Sequence, residues 1–196
     1  MPARTRRHAD AGFVLETRSL GRRPGTMKEI QRTVAAPSRI GPDLIAIPAG
    51  GEIDLDVRLE AVSEGVLVTG TVRADVVGEC ARCLESFDDT VELPITELFA
   101  YPHSATEQTT EEGEVYRVVD DHVDLEPAVV DAVVLGLPLQ PLCGEDCPGL
   151  CAECGVPLAI AGSDHRHEIL DARWAGLAAK FGEVTRNEPD APVKEK

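Results

Sequence analysis

Six cysteines in three close pairs, Cys80 and Cys83, Cys143 and Cys147, Cys151 and Cys154, constrain this chain more than any other feature. The first and last pairs are Cys-x2-Cys knuckles, and the middle pair is a Cys-x3-Cys. A Cys-x2-Cys turn delivers two sulfurs to one tetrahedral ion at about 2.3 Å. Glycines at 144, 149 and 155 relieve the backbone of such turns. The opening Met-Pro-Ala-Arg-Thr-Arg-Arg-His is charged, with no apolar stretch behind it, so no secretory signal is expected and the compartment is read as the reducing cytoplasm. Under reducing conditions thiol clusters serve as metal ligands or redox sites more readily than as disulfides. The expectation is one structural Zn2+ ion drawn from Cys80, Cys83, Cys143, Cys147, Cys151 and Cys154.

Other chemistries fit the spacing less well. Thioredoxin-like exchange wants its Cys-x-x-Cys beside a βαβ unit, whereas Cys80 and Cys83 fall between two antiparallel strands. A catalytic zinc keeps an open position and recruits histidine or carboxylate, while four thiolates close the site. An iron–sulfur cluster also takes four thiolates, and spacing alone does not separate it from zinc. Two ligand sets remain open. Cys143, Cys147, Cys151 and Cys154 form a local set. Alternatively, Cys80 and Cys83 join a distal pair and close a long loop, which is the favoured reading because the first pair otherwise has no purpose. The pair left over is then free, supporting, or bound to a second ion. His165 and His167 are read as surface polarity, and His8, His103 and His122 as loop residues. With no Gly-rich phosphate loop, no Gly-x-Ser-x-Gly and no His-Glu-x-x-His, the chain offers no catalytic set and no small-molecule substrate is expected.

Charge is unevenly spread. Residues 1–40 carry nine Lys or Arg against three acids, a net +6, while the remainder carries ten against thirty-two, a net −22. An acidic body repels a phosphate backbone, so nucleic-acid contact is expected through the basic N-terminal stretch, from Arg18, Arg22, Arg23, Lys28 and Arg32. No apolar run approaches the roughly 18 residues of a membrane span.

The patterning predicts three regions: a basic arm over 1–42, a β-rich domain with a zinc knuckle over 43–160, and a C-terminal helix and charged tail over 161–196. Within the arm, Thr26 to Val34 is read as two turns of helix. Ile53, Leu55, Val57, Leu59 and Ala61 alternate with charged residues, and Val66, Val68, Val72, Ala74 and Val76 do the same, which predicts a hairpin. Residues 87–99 continue the sheet, with Pro94 at an edge or bulge. A short pair, 115–119 and 122–125, turns at Asp120-Asp121, and the acidic stretch 102–114 is a loop. Leu125-Glu126-Pro127 opens a buried helix carrying Val129, Val130, Val133, Val134 and Leu137. Asp171 caps a last helix with Trp174, Leu177 and Phe181 on one stripe. The fold class is α+β and β-rich: an antiparallel sheet, as a small barrel or sandwich, with one buried helix, a Cys-rich zinc knuckle and a C-terminal helix.

Three phrases stand out: Val-Gly-Glu-Cys80-Ala-Arg-Cys83-Leu, Val-Asp124-Leu-Glu-Pro, and Leu-Pro-Leu-Gln-Pro-Leu-Cys143 followed by Cys147-Pro-Gly-Leu-Cys151 and Cys154-Gly. Together they resemble the bacterial YceD family of large ribosomal RNA subunit accumulation proteins. The segment from Val14 to Gly25 is similar to the actinobacterial form, and the likeness runs from about residue 13 to 155. The resemblance implies a cytoplasmic, non-enzymatic ribosome biogenesis factor supporting accumulation of large-subunit (23S) ribosomal RNA. It also implies a gene neighbourhood beside a small zinc-containing ribosomal protein. It favours Cys80, Cys83, Cys143 and Cys147 as the ancestral metal set, with Cys151 and Cys154 as additions. The partners then expected are large-subunit ribosomal RNA or its precursor, touched by the arm, and a basic ribosomal protein held by the acidic body. Two rival readings are a zinc-stabilised protein-interaction module without a ribosomal role and a thiol redox sensor.

Overall fold

Ile53, Leu55, Val57 and Leu59 leave one side of an extended chain while Asp54, Asp56, Arg58 and Glu60 leave the other, so a strand there must have one dry face and one wet face. In the computed structural model of the chain the apolar set is fully buried. The structure describes residues 12–111, 113–162, 164–167 and 176. The chain divides into two compact units, Met1–Gly149 and Leu150–Lys196.

The first unit contains β1 (Val14–Glu16), β2 (Met27–Ala35), β3 (Ile45–Ala46), β4 (Glu52–Ala61), β5 (Gly65–Glu79), β6 (Ser86–Ala100), α1 (Ala105–Thr109), β7 (Tyr116–Arg117), β8 (His122–Asp124) and α2 (Glu126–Gly136). Six strands form one sheet in the order β2-β4-β5-β6-β7, with β3 pairing on β5 at Val77 and Gly78, beyond the residues that meet β4. All pairings are antiparallel except that of β7 with β6. A separate ribbon pairs β1 with β8. The sheet is antiparallel in the main, as expected, but among the described residues it does not close into a barrel. β7 is two residues long and pairs in parallel, so the order simply ends there and at β2.

One hydrophobic cluster joins the dry face of the sheet to Phe13, Leu15 and Val123 of the ribbon region, to Leu125, Val129, Val133 and Leu137 around α2, and to Ile40, Ile45 and Ile47. α2 starts as predicted, with proline at its first positions, and the Asp124 carboxylate accepts from the Glu126 amide at 3.0 Å. Only one face of α2 is buried. Val134 and Leu135 are exposed, so the helix is less enclosed than its composition implied.

The N-terminal arm is the main correction to the expected organisation. Phe13, Leu15, Leu20, Val34, Ala36 and Ile40 all belong to the core. Thr26 to Val34 is not helical: β2 pairs with β4 without a break from Met27↔Glu60 to Ala35↔Glu52. One side of it carries Lys28, Ile30, Arg32 and Val34, a pattern too mixed to announce a strand before its partner is known. The 102–114 loop also holds structure, because Ser104 caps α1 by accepting from the Glu107 amide at 3.2 Å. The 120–121 turn is present, with Asp120 and Asp121 both at positive φ and Val119 bridged to His122. The proposed C-terminal helix from Asp171, with Trp174, Leu177 and Phe181, and the tail lie outside the described residues.

Pro94 sits opposite Thr71 on β6, where β5 is the strand's partner and β7 has not yet begun, so its missing donor breaks no ladder. Gly70 lies opposite Val57 in mid-strand, and a Cβ there would stand 2.0 Å from the Asp56 carbonyl oxygen. Gly70→Ala is therefore expected to cost about 1–3 kcal/mol through forced separation of β4 and β5. A urea midpoint equal to that of the unsubstituted protein would contradict the close approach.

Candidate metal centres

Cys80 directly follows the last residue of β5 and is fully buried; Cys83 comes after one tight turn. The Cys80 amide donates to Glu85 O at 2.9 Å, and the Leu84 amide donates back to Cys80 O at 2.9 Å with Leu84 at φ 62°. This turn aims both sulfurs the same way. The chain leaving α2 is brought to it by the Ala81 amide, which donates to Pro141 O at 2.8 Å. Arg82 reaches across with Nη1 donating to Cys147 O at 3.1 Å. Within the distal segment the Cys147 amide donates to Gly144 O at 3.2 Å.

These ties assemble four sulfurs from two distant stretches. Cys80 Sγ lies 3.7 Å from Cys147 Sγ, and Cys83 Sγ lies 3.7 Å from Cys143 Sγ. All four sulfurs fall within 4.8 Å of one another. A tetrahedron of sulfurs at 2.3 Å from a zinc ion has edges of about 3.8 Å, so the spacing suits one ion at the centre. A cluster with each thiolate on a different iron would hold the sulfurs farther apart.

Electrostatics agree with that geometry. Backbone hydrogen bonding from Cys143, then from Cys83 and Arg82, outweighs burial and draws the Cys80 thiol down to about 6. Cys143 goes the other way, to about 12, because its hydrogen bonds to Cys147, Cys83 and Cys80, then burial and the charge of Cys147, favour the protonated form. Converging thiols cannot all ionise beside each other without a compensating cation.

The remaining pair, Cys151 and Cys154, belongs to the second unit and to a different cluster. Their sulfurs gather with His165 and His167, again within 4.8 Å. The two histidines, expected as surface polarity, therefore stand beside the last thiol pair. A Cys-x2-Cys followed by a His-x-His about ten residues on was the available signal, and six nearby thiols obscured it. The Cys151 thiol is lowered to about 6, chiefly by the backbone amides of Glu153 and Cys154 and then by the His165 side chain.

The basic candidates are scattered over structured positions. Arg18 pairs with Asp121 at 3.3 Å, and Arg22 lies over the Tyr101 ring at 4.9 Å. Arg23 is exposed beside the turn at Gly25. Lys28 donates to Ser19 Oγ at 2.9 Å, and Arg32 donates to Gly12 O at 2.9 Å and Val14 O at 3.3 Å. The last two thus tie β2 to the chain around β1. On the wet face of the sheet, a shallow groove of about 520 Å³ is lined by Gln31, Asp54, Asp56, Arg73 and Glu92 among others.

Fold and clusters together define a β-rich α+β protein with two Cys/His sets whose geometry suits metal coordination, and no helix among the described residues is long and apolar enough to cross a membrane. The family model described as "Large ribosomal RNA subunit accumulation protein YceD" matches residues 68–179, more than half of the chain, and the chain belongs to that family. Members of the family are non-catalytic accessory factors. A Mycobacterium tuberculosis relative, Rv2926c, is 57% identical over 176 residues, covering 90% of this chain and 84% of its own length. The Mycobacterium leprae relative ML1660 is 49% identical over 188 residues, covering 96% and 83%. YlbN of Bacillus subtilis is 26% identical over 121 residues, covering 61% and 69%. No solved structure matches the chain.

Proposed function

We propose that this protein is a cytoplasmic ribosome biogenesis factor that supports accumulation of 23S ribosomal RNA by binding, without a catalytic step. The observation that carries the proposal is family membership, since the family is described by accumulation of large-subunit ribosomal RNA. A structural Zn2+ held by Cys80, Cys83, Cys143 and Cys147 supplies rigidity: it fixes the segment after α2 against the end of β5. Four thiolates leave no open position for substrate, so the ion's part is to hold shape.

The chemistry of recognition divides between two surfaces. Arg18, Arg22 and Arg23 are exposed around the Gly21 and Gly25 turns and suit phosphate contacts to the RNA or its precursor. Lys28 and Arg32 extend this basic set along β2, where they also make the hydrogen bonds already described. The wet sheet face, with Glu29, Asp54, Asp56, Glu60 and Glu92, suits a basic ribosomal protein by charge complementarity.

Gradient sedimentation of cell lysate tests the proposal directly. Tagged protein is expected to travel with large-subunit precursors, and affinity purification is expected to enrich 23S sequences. The triple variant Arg18→Ala, Arg22→Ala, Arg23→Ala is expected to weaken that association at least tenfold at low salt, with a shallower salt dependence. Sedimentation only at the top of the gradient would leave the protein as an interaction module outside the ribosome.

A further inference from the structure

The second unit presents a problem of stability before one of function. None of its described residues is buried, and its helix α3 (Leu158–Ala161) has no buried side chain. Among those described residues apolar packing does not fix the shape, so something else must tie the segment from Leu150 to His167 together.

Its backbone nevertheless repeats the turn of the first centre bond for bond. The Cys151 amide donates to Val156 O at 2.9 Å, as Cys80 does to Glu85 O, and the Gly155 amide donates to Cys151 O at 2.8 Å, as Leu84 does to Cys80 O. Gly155 stands at φ 71°, matching Leu84 at 62°. Leu150 bridges to Pro157, closing the knuckle at its base. The two knuckles differ in how they are completed. The first takes two thiols from sixty residues away, whereas the second takes two imidazoles from the chain just beyond α3.

Cys154 Sγ lies 3.4 Å from His165 Nε2, and His165 Nε2 lies 3.0 Å from His167 Nε2. Around zinc, with bonds of about 2.3 Å to sulfur and 2.0–2.1 Å to nitrogen, the corresponding tetrahedral edges are about 3.5 and 3.3 Å. The imidazole rings stand edge-on at 81°, and their Nε2 atoms converge with the two sulfurs. Two ring nitrogens facing each other satisfy each other only if one carries the proton, whereas a cation between them satisfies both lone pairs.

From this the geometry points to a second, independent Zn2+ site made by Cys151, Cys154, His165 and His167, complete within the second unit and holding together the segment from Leu150 to His167. The donor set selects the metal class. Thiolate with imidazole suits zinc, and the absence of a carboxylate from the set disfavours calcium and magnesium. The contacts between sulfur and nitrogen are too short for ligands on two different irons. Two thiolates and two neutral imidazoles cancel the charge of Zn2+, whereas the first centre carries a net negative charge when filled.

Metal content of the full-length protein, purified without chelator, tests the site alongside the double variant His165→Ala, His167→Ala. Both histidines lie outside the hydrophobic cluster of the first unit, so the variant retains that fold, which its circular dichroism checks. Two zinc ions per chain are expected in the unsubstituted protein and one in the double variant. Replacement by Co2+ is expected to show the lost fraction as a tetrahedral site with two thiolate and two imidazole donors. A double variant that keeps the full zinc content of the unsubstituted protein overturns the site. A single zinc that disappears with the histidines upholds it and counts instead against the first centre, so the two assignments fail separately.

Discussion

A chain lacking residues 1–42 is expected not to fold. The segment reads as a basic arm in the sequence, and an arm can be removed without consequence. In the structure it contributes Phe13, Leu15, Leu20, Val34, Ala36 and Ile40 to the core and supplies both the edge strand β2 and one strand of the covering ribbon. Full burial of each large side chain in that set contributes about 1.5–3 kcal/mol, so together they supply on the order of 10 kcal/mol. A domain's whole net stability is about 5–15 kcal/mol, so the loss is of the same size as the total. The deletion should show no cooperative urea transition. A graded version is Phe13→Ala, expected to cost about 3–5 kcal/mol. A deletion mutant with an unchanged thermal midpoint would restore the arm reading and remove these strands from the fold.

The second large effect is expected from the first metal centre. Residues 142–148 contain no buried side chain, so hydrogen bonds and the proposed ion are what hold this stretch to the end of β5. Cys143 is exposed, which makes Cys143→Ser a clean removal of one ligand with little change in packing. The variant should lose the first zinc and melt more than about 10 °C below the unsubstituted protein, because the free energy of binding a structural ion is free energy of folding. Chelation of the unsubstituted protein should lower its midpoint in the same direction. Retention of both the metal and the midpoint in Cys143→Ser would show that Cys143 is not a ligand. The ribosomal proposal would then rest on family membership without its structural support.

The parts of this protein that were legible early are those whose signal is local. β4 alternates strictly, β5 and β6 alternate over most of their length, and α2 announces itself by proline at its start and a dense apolar face. β1 and β2 carried no comparable signal. Lys28 and Arg32 share the side of β2 that carries Ile30 and Val34, and their side chains reach its rim, where Ser19 Oγ and the carbonyls of Gly12 and Val14 receive their hydrogen bonds. Those partners are 9 to 20 residues distant, so no window of sequence shows them. The histidines of the second cluster were hidden for a similar reason. His165 and His167 lie in a polar stretch, and what distinguishes them is convergence on Cys151 and Cys154, which is a matter of direction in space.

By itself the sequence determined that this chain is β-rich, that its thiols come as knuckles, and which family its phrases resemble. Side-chain alternation and Cys-x2-Cys spacing are properties of a few adjacent residues, and they survive in any fold. Only the tertiary structure decided that the N-terminal stretch from Phe13 onward contributes to the core, and that six cysteines divide four and two, with histidines joining the second set. Those outcomes depend on which distant segments meet. A strand's partner and an ion's ligands are chosen by long-range packing that brings groups sixty residues apart to within 4 Å.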